Sequence, residues 1–193
     1  MLTKPRGKYH HGQLAEALIG TALEELDKHS LDKLSLRGIA RQVGVTATAA
    51  YKHFASKEDL VAAVREAAFM AFVSTIRQAA ESSPVAEQSM IAMGMAYLDF
   101  AEQHANWFDL IFSAPAPNSQ DDAATQLFTQ AALALNPKLA DQDLQVSILQ
   151  GHALIHGLAV LRRQGMLGNG HHPELTPDLI ERIFVRTRQG WLN

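Results

Sequence analysis

Cysteine is absent from the 193 residues. Disulfide scaffolds, thiolate zinc sites, iron–sulfur clusters and cysteine nucleophiles are thereby excluded. Aromatic residues make up only 7% and charged residues 19% of the chain. The hydrophobic 47% is therefore mostly aliphatic, and it suffices for a sizeable core. No apolar run follows the start, where Lys4, Pro5, Arg6 and Lys8 lead into His10, His11 and Gly12, so a secretory signal is not expected. The most apolar stretch, residues 146–161, is interrupted by Gln150, His152 and His156. It reads as too short and too polar to span a bilayer. The expectation is a cytoplasmic protein with no membrane partner. Enzyme signatures are lacking too. There is no G-x-S-x-G elbow and no P-loop, and Gly165, Gly168 and Gly170 follow a helical stretch where a dinucleotide fingerprint needs a strand. Neither an enzyme nor a cofactor is expected.

What charge there is falls unevenly. Ten basic and seven acidic residues stand in positions 1–65, against seven basic and thirteen acidic in 66–193. A positive first third joined to a negative remainder suits a nucleic-acid module attached to something else.

Period-two alternation and internal repeats are missing, and helical spacing dominates. Leu14, Leu18, Ala22 and Leu26 recur every fourth residue, which predicts one buried stripe on a helix over 12–29. Ser35 stands as an N-cap ahead of Leu36, Ile39, Ala40 and Val43, and Gly44 closes that short helix. Thr46 caps the next, which runs to about Phe54. Ser56, with Asp59 three residues on, opens a long helix whose inner face is Leu60, Val61, Val64, Ala68 and Phe72. Further helices are expected at 91–104, around Trp107 to Ile111, and at 121–135, 141–164 and 177–191, with the loop at 115–119 marked by Pro115 and Pro117. The fold class is all-α.

The most informative segment is 34–54. Two short helices meet at Gly44, which permits the positive φ of a tight turn. Ile39, Ala40 and Val43 pack the first inward, and Val45 and Ala50 back the second, leaving Thr46, Ala47, Thr48, Tyr51 and Lys52 outward. That is the pattern of a helix-turn-helix whose second helix enters the DNA major groove. Ordinary helical hairpins share the pattern.

The longer string narrows the choice. Leu36, Arg37, Gly38, Ile39 and Ala40, then Gly44 and Val45, then Tyr51, Lys52, His53 and Phe54, then Ser56, Lys57 and Leu60 closely resemble the N-terminal domain of the TetR (tetracycline-repressor) family of bacterial regulators. The resemblance covers about a third of the chain, from Tyr9 to Val64. It implies an all-α homodimer of about nine helices: an N-terminal arm and three-helix DNA-binding domain over 1–55, and an effector-binding and dimerisation domain over 56–193. It also implies a double-stranded DNA operator and a small-molecule effector as partners. By position, Lys57 and Tyr51 are expected on phosphates, with Thr46 helping. Arg37 is the candidate to bridge guanine O6 and N7, Thr48 and Ala47 to touch thymine methyls, and His53 to meet phosphate or close its helix. Lys52 completes the set. Each could also be a solvated surface residue. Thr46 to Ala50 lack long polar base readers, which shifts weight to methyl contacts and DNA shape. The basic arm Lys4 to Lys8 either lies along a groove or is a solvated tail. A second, shorter resemblance covers residues 151–161, where His156-Gly157 looks like the His-Gly motif of one TetR subgroup; the tryptophan usual before the histidine is Ile155 here.

Residues 146–161 are apolar almost all round, so that helix needs cover on both sides. Gly151 and Gly157 allow close helix approach. With Ile180 and Phe184 of the last helix they are the candidate dimer interface, unless the helix is simply core. Met93, Tyr97, Phe100, Trp107 and Phe108 could line an adaptable apolar pocket or be plain core. His152 and His156, four apart, have a spacing that could hold a metal. Ala153 stands where a metalloprotease helix carries glutamate, and no third ligand is evident, so no metal site is expected; both are candidate hydrogen-bonding anchors in the pocket, or core. Three functions compete: a regulator released from its operator by a small molecule, an effector-independent helical DNA-binding factor, and a small all-α enzyme or cofactor bundle.

Overall fold

The computed structural model describes residues 11–114, 118–168, 170 and 172–189. The basic arm, Tyr9, His171 and Trp191 lie outside them. Among the described residues the chain is all-helical, with nine α-helices. These are α1 His11–Leu26, α2 Leu36–Val43, α3 Ala47–Tyr51, α4 Lys57–Ala80, α5 Ala86–Gln103, α6 Ala105–Phe112, α7 Asn118–Leu135, α8 Asp141–Arg163 and α9 Pro177–Gln189, with a short 3-10 turn at Leu31–Lys33. They form two compact units: one holds Met1–Phe69 with Asn106–Ala114, the other Met70–Ala105 with Pro115–Asn193.

In the first unit the expected four-residue stripe is buried: Leu14, Leu18, Ala22 and Leu26 meet Leu36, Ile39 and Ala40 of α2, Ala50 of α3, Leu60 and Val64 of α4, and Leu110 of α6. α1 ends three residues earlier than its periodicity suggests. Side chains some eighty residues away meet that end. Asn106 of α6 donates its side-chain amide to the Leu26 carbonyl at 2.7 Å and to His29 at 3.2 Å, while the Trp107 indole N–H donates to the Leu23 carbonyl at 3.1 Å. The Leu26 carbonyl, which the helix end leaves without an amide partner, is thus taken by another helix.

The capping residues sit as their sequence positions suggest. Ser35 Oγ accepts from the Gly38 amide and Thr46 Oγ1 from the Ala49 amide. Ser56 and Asp59 form a reciprocal box at the head of α4, each side chain accepting from the other's amide. Gly44 has φ +83°; its amide bonds to Arg41 and that of Val45 to Ala40, the paired closure that favours glycine at this position.

In the second unit α5 packs against α7, α8 and α9, and α7 against α8. Tyr97, Leu98, Ile155, Ala159 and Ile180 are almost wholly buried. Phe72 meets the rings of Tyr97 and Phe100 edge-on at 5.0 and 5.2 Å. α8 is 23 residues long, long and apolar enough by length and composition to cross a membrane, which corrects the reading of this stretch as too short. Its packing on α5 and α7 accounts for one side of that apolarity.

A methyl group at position 44 would meet nothing within 4 Å, so Gly44→Ala should cost only the backbone strain of a left-handed L-residue, about 1–2 kcal/mol. Urea denaturation followed by far-ultraviolet dichroism should show that loss. An unchanged midpoint would mean the turn relaxes out of the left-handed region.

Candidate functional site

α2, the Gly44 turn and α3 form a helix-turn-helix. The inward side of the pair is fixed by Ile39, Ala40 and Ala50, all at most 2% exposed. Packing thereby decides which residues remain outside. Thr48, Tyr51 and Lys52 are exposed on and just after α3, as is Arg37 on α2; Ala47 and His53 are half-buried. The Thr46 oxygen is committed to its cap, leaving its hydroxyl proton to donate. Lys57 differs from a free surface lysine. Its ammonium donates to the carbonyls of Leu31 at 3.2 Å and Asp32 at 3.4 Å, tying the start of α4 to the 3-10 turn.

The second unit has a partly open cavity of about 50 Å³ between α5, α7, α8 and α9, lined by Met90, Met93, Gly94, Tyr97, Phe128, Ala131, Ala132, Leu135, Ser147, Ile148, Gly151, Ile155 and Phe184. No lining residue carries a charge at neutral pH. Gly94 is required by close approach: a Cβ there would lie 2.5 Å from the Phe184 ring. Beside the cavity the Tyr97 hydroxyl and His156 Nδ1 are 2.8 Å apart, and His152 stacks on Phe128 at 5.8 Å. Burial pushes the Tyr97 phenol far above its usual range, so it stays protonated. Both imidazoles are held below the ordinary 6.5, His152 by desolvation and then by repulsion from His156, His156 by desolvation.

Residues 18–64 match the family model described as bacterial regulatory proteins, tetR family, and residues 90–186 match that described as tetracyclin repressor-like, C-terminal domain. The chain belongs to the TetR family. Rv0681 of Mycobacterium tuberculosis, an uncharacterized HTH-type transcriptional regulator, is 22% identical over 183 residues, 91% of this chain and 84% of its own. A solved structure of a protein with unknown function from Rhodococcus sp. RHA1 is 26% identical, with a TM-score of 0.74 over 96% of this chain and 97% of that one. A tetR-family transcriptional regulator from Streptomyces coelicolor is 18% identical, with a TM-score of 0.66 over 90% and 78% of the two chains. This TetR-family chain is therefore a transcriptional regulator with a helix-turn-helix DNA-binding domain.

Several residues sit elsewhere than the sequence suggested. Trp107 and Phe108 do not line the cavity. Both belong to the first unit, Trp107 as a donor to α1 and Phe108 buried beside Phe112. Phe100 packs on Phe72 and His104 and stays behind the wall. Met93 and Tyr97 do line it, with His152 and His156 against Tyr97 and Phe128. Ile180 and Phe184, expected at a dimer interface, are 0% and 6% exposed within the single chain, so they face their own core. Gly151 lines the cavity, and only Gly157 stays open, with nothing within 4 Å of an added Cβ. Phe128 and Ser147 are wall residues that sequence reasoning missed. Phe128 carried a signal, since an aromatic within an alanine-rich helix marks a buried face; Ser147 carried none.

The two depressed histidines make stability pH-dependent. On acidification the unfolded chain protonates them near 6.5, before the folded chain does. The stability present above that pH is therefore lost as pH falls toward the folded values. Between about pH 7 and about pH 5 the denaturation midpoint of the wild type should drop more steeply than that of His152→Asn/His156→Gln. Equal slopes would show that neither imidazole is held neutral by the fold.

Proposed function

We propose that this regulator is a cytoplasmic homodimeric repressor that holds a pseudo-palindromic operator through α2 and α3 and releases it when a small molecule fills the second unit. The observation that carries the reading is the capped, outward-facing α3 behind the left-handed turn at Gly44, with Thr48, Tyr51 and Lys52 exposed on it and at its end and Arg37 exposed on α2. Tyr51, Lys52 and Lys57 meet phosphates, Arg37 reads a guanine, and Ala47 and Thr48 touch thymine methyls. Thr46 and His53 assist at the two ends of the helix.

Dimerisation is supported by the outer side of α8. Val146 and Leu149 are 53% and 68% exposed. Ala153 and Gly157 continue the stripe at helical spacing, and Val185 of α9 is also exposed. Apolar surface left bare in one chain calls for a second copy. Because Gly157 has open space around it, Gly157→Leu should leave the protomer folded and convert dimer to monomer in light scattering. A wild-type monomer at micromolar concentration would overturn the dimer.

A two-fold dimer presents two reading heads about 34–36 Å apart, or a multiple. Against a selected operator, Lys52→Ala and Lys57→Ala should weaken binding to all sequences and flatten the salt slope by about one unit each. Lys57→Ala should also lower the melting temperature, because it frees the Leu31 and Asp32 carbonyls. Arg37→Ala should relax preference at one base pair per half-site, at about 1–3 kcal/mol. Equal binding of selected and random duplexes would refute the operator reading. For release, the ligand must bind one arrangement of the dimer better than the other. α4, common to both units, would carry the difference. Operator must then weaken ligand by the same factor that ligand weakens operator.

A further inference from the structure

Ser147 is the one buried polar side chain among the described residues that lines the cavity without being held by another group. It is 3% exposed, and no hydrogen-bond partner for its hydroxyl is found among the described residues. Two helical hydroxyls of this chain bond back one turn, Thr75 to the Ala71 carbonyl and Thr187 to the Ile183 carbonyl, both at 2.9 Å. Ser147 does not. A buried hydroxyl without a partner destabilises the fold that holds it, and its location on the cavity wall says what would relieve it.

The rest of the wall restricts the ligand further. Met90, Met93, Phe128, Leu135, Ile148 and Ile155 are apolar. The Tyr97 hydroxyl is engaged with His156. No cation or carboxylate stands on the wall to neutralise an ion, and an unpaired charge is far costlier to bury than a hydroxyl. Size adds a constraint. About 50 Å³ is a third of the roughly 150 Å³ void that accepts benzene, so a ring-sized ligand enters only as the flexible Met90 and Met93 side chains move.

We infer that the cavity takes an uncharged, mainly apolar small molecule whose single hydrogen-bonding oxygen, a hydroxyl or carbonyl, pairs with Ser147 Oγ. The inference rests on reading the second unit as the effector-binding domain, and it adds the chemical class. α8 supplies the one polar contact, α5 and α7 the oily bed, and the absence of a counter-charge excludes carboxylates and amines.

Calorimetry on the DNA-free full chain with toluene, benzyl alcohol and benzoate tests it. Benzyl alcohol should bind about 2- to 10-fold tighter than toluene, the margin of one net hydrogen bond, and benzoate at least about tenfold weaker than the alcohol. Ser147→Ala should erase the alcohol's advantage, leave toluene bound, and raise the melting temperature of the empty protein. Ala131→Phe, which fills the cavity, should abolish binding of both neutral probes. The proposal is overturned by benzoate binding as tightly as the alcohol, by an alcohol preference that survives Ser147→Ala, by a lowered melting temperature in that variant, by binding that survives Ala131→Phe, or by no binding of any probe at millimolar concentration. Operator release is scored separately. A protein that binds the probes in this pattern yet keeps its operator refutes the regulatory reading and supports the ligand class.

Discussion

α4 runs from Lys57 to Ala80 without a glycine or proline, and its buried residues serve two cores in succession. Leu60 and Val64 close the first unit; Phe72, Val73 and Ile76 are buried in the second. The capping box at Ser56 and Asp59 secures its start, and the Lys57 ammonium on the 3-10 turn fixes that start to the first unit. Both units thus draw buried residues from this one helix.

Polar groups are rare inside the second unit, and their treatment differs. Tyr97 and His156 satisfy each other, and desolvation keeps the phenol protonated and the imidazole neutral. Arg162 is kept at the margin, half-buried between Asp99 and Glu102 of α5, so that α8 is tied to α5 by charge only where water still reaches. Among the described residues Ser147 is the buried polar side chain left without a partner. That hydroxyl belongs to a residue of the pocket wall.

The sequence announced the first unit almost completely. A four-residue apolar stripe, three capping hydroxyls and a turn glycine are local signals, and local chemistry decides them. Helical periodicity reports that a residue is buried; it does not report in which core. Trp107 and Phe108 show the consequence, since their spacing suited a pocket in the second unit while the chain had returned to the first. Ile180 and Phe184 failed for the same reason: an apolar stripe on a terminal helix looks alike whether it faces its own chain or another. Ser147 was invisible because an unpartnered hydroxyl is defined by what surrounds it, which only the folded chain supplies.

The placement of α6 has a bearing on how such regulators can be recombined. Asn106 and Trp107 finish α1, and Leu110 completes its core, yet both flanks of this helix in the chain belong to the other unit. The DNA-reading module is therefore not a contiguous cassette. Cutting the gene after α4 and splicing the front half onto a foreign sensor would leave the Leu26 carbonyl of α1 open and a hole at Leu110. A working chimera must carry residues 106–114 across as a second graft, and any sensor that evolves behind this reading head inherits the same splice constraint.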